Sequence, residues 1–493
     1  MIASPLIKTP ERWVWWFILG QFLLWVIVPT LVFRNLPLDV VEGLAWGHGW
    51  PLGTYKHPPL QAWMLELAAL LGGRHDAAIY AVGAACLVLT YGVLWRFGRS
   101  LFSPPVALAA VVVLASCFYF ATTIPEFNPN VVQMPLFALC GWLFWRAYRD
   151  DRWQDWVGFG LCAGLGMLSK YSFVVQLMAL GGFAAHRFVV GDPTLRRLLH
   201  RPGPYLAVAL GGVLFAPHFI WLLDHQWLPL EYARSRGNSA IGIGESLVTA
   251  LGFLAGQALA IAPVLVILWL ARQRDVERTP RDAVLRTYLN WLVWGPVLLI
   301  LVPGMWLGGL ERTMWGMALW PFIGLWAVER WQSDLARCRP AQFLLLVALL
   351  AMPVALICGA LLSVPFGFRP WRTEFPGREL AMEADKFRQE QGQSLPIVLG
   401  DAWFGGNIAW YGQDRAQLMI NGNSRYSPWV SPTDVAQFGA LAVWDPDGGG
   451  EQTPAWATAL GQVTAVKTVT LRYGKQNIRA RFAHVMPASA LQD

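Results

Sequence analysis

Long apolar runs separated by short charged loops are what most constrains this chain. The first, from about Trp13 to Phe33, is long enough to cross a hydrocarbon layer about 30 Å thick. Others fall at about 76–95, 105–124, 131–148, 154–169, 171–190, 204–223, 247–271, 286–303, 314–331 and 341–364. Only 14% of the 493 residues are charged, against about 25% in soluble domains. A mainly α, polytopic membrane protein follows, with about eleven to thirteen transmembrane helices. The break at Lys170, between 154–169 and 171–190, is the place where one broken or re-entrant helix would change that number. The 28 tryptophans suit membrane interfaces, where an apolar ring with one N–H donor fits best.

Basic residues set an orientation. With Lys8 and Arg12 in the cytoplasm, alternate loops carry Arg96/Arg99, Arg146/Arg149/Arg152, Arg187/Arg196/Arg197/Arg201, Arg272/Arg274/Arg278/Arg281/Arg286 and Arg330/Arg337/Arg339. The opposite loops hold Arg34, Lys56, Arg74, Lys170, Arg234, Arg236 and Arg312, a split of nineteen to seven. The positive-inside rule then places the loop after the first span, and the C-terminal tail, outside the cytoplasm. The net charge of +7 is topological in origin and is no sign of nucleic-acid binding. The first span has no cleavage pattern after it and reads as retained. The six cysteines show no metal-type spacing and read as small apolar packing residues.

From about residue 366 the chain turns polar, with turns such as Asp445-Pro446-Asp447-Gly448-Gly449-Gly450. Short apolar strands at 395–400, 416–421 and 440–444 alternate with helices at 378–391 and from 407, which predicts a small α/β domain. The organisation is thus 1–365, membrane domain, and 366–493, C-terminal α/β domain on the periplasmic side. The tail lacks the charged cluster of the first loop. It is expected to cover a cavity or select an acceptor, with Trp403, Tyr411 and Tyr426 either touching glycan or packing in the core.

The first loop opens with Asp39-Val40-Val41-Glu42 and closes with Tyr55-Lys56-His57-Pro58-Pro59-Leu60. Asp39 and Glu42, spaced i, i+3, share a helix face, and Leu38, Val41 and Ala45 could lay that helix flat on the membrane. Two carboxylates there could supply a general base and an orienting or metal-binding partner; the competing reading is a solvated loop with ordinary acidic residues. Pro58 and Pro59 stiffen the backbone, so Lys56 and His57 are expected in an extended segment that presents a cation to phosphate, or as incidental charges at a helix entry. Lys170, between two apolar runs, points to a carrier phosphate, or snorkels from a helix end. Arg312 stands at the start of a span as a phosphate partner or an interface anchor. His218 and His225, two turns apart, favour interface anchoring over a metal pair.

The run Leu38-Asp39-Val40-Val41-Glu42, followed by Gly53-Thr54-Tyr55-Lys56-His57-Pro58-Pro59-Leu60-Gln61-Ala62-Trp63, resembles the GT-C class of integral-membrane glycosyltransferases. The resemblance is greatest to the bacterial branch containing the lipid A aminoarabinose transferase, related to protein O-mannosyltransferases. It extends to the Pro125–Asn130 loop, the Leu168-Ser169-Lys170 element and the C-terminal domain. It implies the GT-C fold and an inverting transfer of a sugar from a polyprenyl-phosphate donor to an envelope acceptor, with membrane lipids as further partners. That acceptor would be lipid A, another glycolipid, a polysaccharide or a protein, met at the periplasmic face of the bacterial inner membrane.

Asp39 maps to the family's catalytic base, with Glu42 beside it. Lys56, His57, Lys170 and Arg312 become candidates for the donor phosphate. Many relatives carry a second Asp where this chain has Asn130, so Glu126, Asn128 and Asn130 become candidates for orienting acceptor or sugar, and binding of a divalent metal is put in doubt. A monomer is expected. A transporter or flippase of a lipid-linked sugar is the alternative; charges gathered in loops and the absence of an internal repeat weigh against it.

Overall fold

The computed structural model describes residues 9–236, 242–273, 282–307, 313–363, 370–392 and 394–488. Arg312 and the proposed boundary at 365/366 lie outside the described residues. Helices dominate: α1 (Pro10–Val32), α2 (Leu38–Gly47), α3 (Leu60–Leu71), α4 (Asp76–Leu101), α5 (Pro104–Val112), α6 (Pro129–Asp150), α7 (Trp153–Ser169), α8 (Val174–Val189), α9 (Pro193–Leu198), α10 (Pro202–Asp224), α11 (Leu228–Arg236), α12 (Ile243–Leu270), α13 (Ala283–Leu307), α14 (Ile323–Trp331) and α15 (Arg339–Ser363). Among the described residues, seven helices are long and apolar enough to span a membrane. Of the other apolar runs, 131–148 lies within the unbroken 22-residue α6, which is less apolar, and 154–169 forms the 17-residue α7. The run 105–124 splits into α5 and two 3-10 turns, and 314–331 begins as a 3-10 turn before α14.

The chain shuttles between two ends of this bundle. Helix α6 starts beside Asn128 and ends at Arg146 and Arg149; α7 returns to Ser169. The arginines therefore gather at the end opposite the first loop. There they pair with acids that face inward, as in Arg146–Asp155 at 3.0 Å and Arg187–Asp192 at 2.6 Å.

After α15 come α16 (Gly377–Glu390), β1 (Ile397–Gly400), α17 (Phe404–Tyr411), β2 (Gln417–Ile420), α18 (Pro432–Phe438), β3 (Ala440–Trp444), β4 (Val463–Tyr473) and β5 (Gln476–Val485). The sheet order is β2-β1-β3-β5-β4. The first three strands run parallel, β5 pairs antiparallel with β3, and β4 pairs antiparallel with β5 at the sheet edge. The parallel strands are buried along nearly their whole length, as a sheet covered on both faces requires.

The α/β domain does not stand apart from the membrane bundle. One face of its sheet shares an apolar core with the first loop: Ala45, Trp46, Tyr55 and Ala62 pack with Phe375, Phe404, Leu418 and Phe482. The backbone of α17 comes so close to α2 that a Cβ on Gly406 would sit 2.7 Å from Val41 Cγ1. Helix α2 is therefore roofed by this domain, where the sequence suggested a helix lying flat on lipid.

The tail is also richer in interfacial charge than its sequence suggested. Arg378 reaches Asp76 at 2.5 Å, Glu379 takes Arg34 at 2.7 Å, and Arg425 meets Glu231 at 3.3 Å. Arg415 grips the buried Glu66 with two nitrogens, and Arg74 donates to the carbonyls of Trp410, Gly412 and Gln413. These charges lie far apart in sequence, so no local cluster announced them.

Candidate active site

Helix α2 begins after Pro37, which caps it in an extended conformation, and carries Asp39 in its first turn. An acid is favoured there by the helix dipole. Helix α3 packs hard against α2: a Cβ on Gly47 would come 2.3 Å from the Ala62 carbonyl oxygen. Gln61 of α3 ties the site together, since its Nε2 donates to the carbonyl of Asp39 at 3.2 Å and to that of Phe127 at 3.0 Å. The second loop is thereby locked beside the first.

Between α2 and α3 the chain makes a tight turn, not the extended segment the prolines suggested. The Thr54 hydroxyl donates to the His57 carbonyl at 3.0 Å and accepts the His57 amide at 3.0 Å. That closure points Lys56 back at α2. Its ammonium donates to Glu42 Oε1 at 2.5 Å, and the Tyr55 hydroxyl donates to the same oxygen at 3.1 Å. Aromatic rings surround the ammonium: Trp46, Tyr55 and Tyr232 have centroids 5.9, 5.1 and 5.3 Å away. Tyr55 is stacked at 4.5 Å on Tyr426 of the α/β domain. Lys56, expected to meet the donor phosphate, is engaged with Glu42 here.

Burial raises the Glu42 carboxyl above its usual range; Lys56 and the Tyr55 hydroxyl pull it down, and the Asp39 charge pushes it up. Burial likewise raises Asp39, opposed by the charges of Lys56, Arg372 and Lys170 and by the facing Asn128 amide. Asn128 caps α6, its side-chain oxygen accepting the Asn130 amide at 2.9 Å. Asn130 in turn accepts the Lys170 ammonium at 2.6 Å. Lys170 stands in extended conformation where α7 ends and a 3-10 turn, Tyr171–Phe173, begins. Burial lowers its ammonium to about 8, so it remains a cation at neutrality.

Glu126 faces Asp39 from the second loop. Burial raises its carboxyl to about 7, the Asp39 charge adding to the rise and Arg372 opposing it. His57 is pushed down to about 3 by burial and by Lys170 and Lys56. It is a neutral ring that can offer an N–H and no charge. His218 bridges the Leu52 carbonyl and the Tyr171 hydroxyl, while His225 bonds its own helix at Trp221; the two do not form a metal pair. Among the described residues no group of three or more His, Cys, Asp or Glu is placed to hold a metal ion. The structure thus brings Asp39, Glu42, Lys56, His57, Glu126, Asn128, Asn130 and Lys170 into one cluster.

One member escaped the sequence reading. Arg372 lies in a 3-10 turn, Arg372–Glu374, on the strap leading into the α/β domain. The Thr373 carbonyl accepts the amides of Arg34 and Asn35, each at 3.0 Å, which pins the strap just before α2. The only cue in the sequence is an arginine beside a tryptophan soon after the last apolar run. A separate cavity of about 540 Å³ lies along the seam, lined by Phe33, Arg34, His75, Asp76, Arg378 and Glu379.

Known proteins share sequence and fold with this chain. The family model described as dolichyl-phosphate-mannose-protein mannosyltransferase matches residues 56–221. The chain is 25% identical over 424 residues to the lipopolysaccharide core galacturonosyltransferase RgtA of Rhizobium johnstonii, covering 79% of this chain and 78% of that protein. It is 24% identical over 306 residues to the lipid A galacturonosyltransferase RgtD of the same organism, covering 55% of this chain and 61% of that one. Its fold is similar to that of ArnT from Cupriavidus metallidurans bound to undecaprenyl phosphate: TM-score 0.58, 14% identity, covering 95% of this chain and 98% of that one.

Proposed function

We propose that this chain, a GT-C-class membrane glycosyltransferase, moves a sugar from a polyprenyl-phosphate donor to a lipid A or lipopolysaccharide-core acceptor at the periplasmic face of the inner membrane. The observation that carries the reading is the contrast at α2. Glu42 is occupied by Lys56 and Tyr55, while Asp39 has no cation in salt-bridge contact and faces Lys170, Asn128 and Glu126 across the site. The names of the relatives favour a transferase over a transporter or flippase, and make a lipid A–core glycolipid the acceptor to try first. The periplasmic placement rests on the arginines gathering at the opposite end of the bundle. The organisation into residues 1–365 and 366–493 is kept, with the shared core acting as a fixed roof over α2.

In this reading Asp39 aligns the acceptor and, where the acceptor is a hydroxyl, takes its proton as that oxygen attacks the anomeric carbon. The carbon–oxygen bond to the carrier breaks, the carrier leaves as polyprenyl phosphate, and the anomeric carbon inverts. Lys170 meets the charge growing on the leaving phosphate, and Arg312 is retained as a second phosphate contact. Lys56 serves as a positioning residue that fixes Glu42, and the neutral His57 gives an N–H. Asn128, Asn130 and Glu126 orient acceptor or sugar hydroxyls. The enzyme is proposed to act as a monomer.

The test is transfer in detergent. Purified protein, a radiolabelled polyprenyl-phosphate sugar and a lipid A–core acceptor should give labelled glycolipid with no bilayer present. A transporter has no route to that product, so absence of transfer by well-folded protein across a panel of donors and acceptors would overturn the reading.

A further inference from the structure

The charges around Asp39 leave one cation unassigned. Lys56 is held by Glu42 at 2.5 Å. Lys170 is hydrogen-bonded to Asn130, with no carboxylate in contact, and suits one anion. The Arg372 side chain is exposed and makes no hydrogen bond or ion pair among the described residues, yet lies within electrostatic reach of both Asp39 and Glu126.

Its position is built. The Tyr473 hydroxyl reaches the carbonyls of Pro370 and Trp371 at 3.2 and 2.8 Å. The Trp371 ring fills the space over Gly359, where a Cβ would meet it at 2.1 Å. The Thr373 carbonyl is fixed to the chain just before α2. A free arginine held from both sides at the mouth of a carboxyl cluster is a prepared anion contact. Guanidinium offers a planar fork that matches a carboxylate with two parallel N–H donors.

Taking the proposed transfer reaction as its premise, we propose that Arg372 is a specificity-determining residue that binds the carboxylate of a uronic acid carried on the polyprenyl-phosphate donor. A uronosyl donor brings two anions, its phosphate and its sugar carboxylate, and the cluster offers two cations free of carboxylates to receive them. Lys170 lies deep, at the helix break, and takes the phosphate. Arg372 is exposed at the solvent side, and in this proposal a sugar seated over Asp39 turns its outer substituent toward it. Without that cation the carboxylate would approach the Asp39 charge unscreened, and like charges so placed repel. A neutral sugar makes no such demand.

The experiment compares two donors on the full-length protein in detergent: polyprenyl-phosphate galacturonate and polyprenyl-phosphate galactose, which differ only in the substituent at C6. Arg372→Gln should lower the ratio of kcat/KM for the uronate over that for the neutral sugar by about ten- to a hundredfold, the worth of a charge-assisted contact. Arg372→Lys should recover part of that ratio. An equal fall with both donors would overturn the assignment and place Arg372 on an acceptor anion or in a structural role. An unchanged ratio in a variant that purifies and melts like wild type would overturn it as a solvated surface charge. The two readings fail separately: wild type transferring neither sugar counts against the reaction itself, whereas transfer with no effect of Arg372 counts against this residue alone.

Discussion

Asp39 and Glu42 stand one turn apart on a single short helix, and their surroundings are opposite. Glu42 receives an ammonium and a phenol on one oxygen and is walled by the rings that enclose Lys56. Asp39 receives only long-range charge and the facing Asn128 amide. Burial raises both carboxyls, so the same physical pressure acts on each and the partners make the difference. A carboxylate whose lone pairs are already used can hold structure in place. One whose lone pairs are unclaimed can accept a proton or a ligand. The lesson is that spacing puts two acids on one face, while the neighbours decide which of them is available.

The largest expected effect tests that assignment directly. Asp39→Asn keeps shape and removes the base, so transfer should fall by about 10²–10⁴-fold with insertion and folding intact. Wild-type-like turnover would erase the distinction between the two acids. Glu42→Gln should show the reverse profile. Removing one partner of a buried ion pair costs about 3 kcal/mol or more, so the thermal midpoint in detergent should drop further than in Asp39→Asn, with a smaller loss of turnover. If Asp39→Asn proves the less stable of the two, the roles are exchanged.

Next, Lys170→Ala should weaken use of the donor by about tenfold or more, since a charge-assisted phosphate contact is lost. Initial rates against donor concentration will show it, and unchanged kinetics would return Lys170 to a mere partner of Asn130. The smallest effect concerns pH. Glu126 holds its proton to about 7, so it is neutral below that pH and charged above it. As pH rises through this point a second negative charge appears beside Asp39, and kcat/KM for the anionic donor should decline. Glu126→Gln stays neutral throughout and should flatten that alkaline limb. A limb that persists unchanged in the variant belongs to another group.

Much of this was legible in the chain. Apolar length gave the bundle, and the Asp39 and Lys56 motifs marked residues that the structure gathers into the candidate site. Three buried strands of the tail read correctly because each is a short apolar run. The hairpin of β4 and β5 did not, since Lys467, Thr468 and Arg472 interrupt β4 and much of that strand is exposed. The pairing of Lys56 with Glu42 was hidden because it depends on the Thr54 turn, a side-chain closure that spacing does not encode. Arg372 was hidden for a different reason. It lies in a strap that reads as a linker, and its meaning comes from Arg34 and Asn35, more than three hundred residues earlier.

The stacking of Tyr55 on Tyr426 sets an order in time. A ribosome adds roughly 5–20 residues per second, so the first loop exists for some tens of seconds before the ring that finishes its aromatic wall is made. During that interval Lys56 lacks part of its enclosure, and α2 lacks its roof. The nascent chain therefore carries an incomplete site through the whole of its membrane insertion. Competence arrives only when the last quarter of the polypeptide has folded and closed over the first loop.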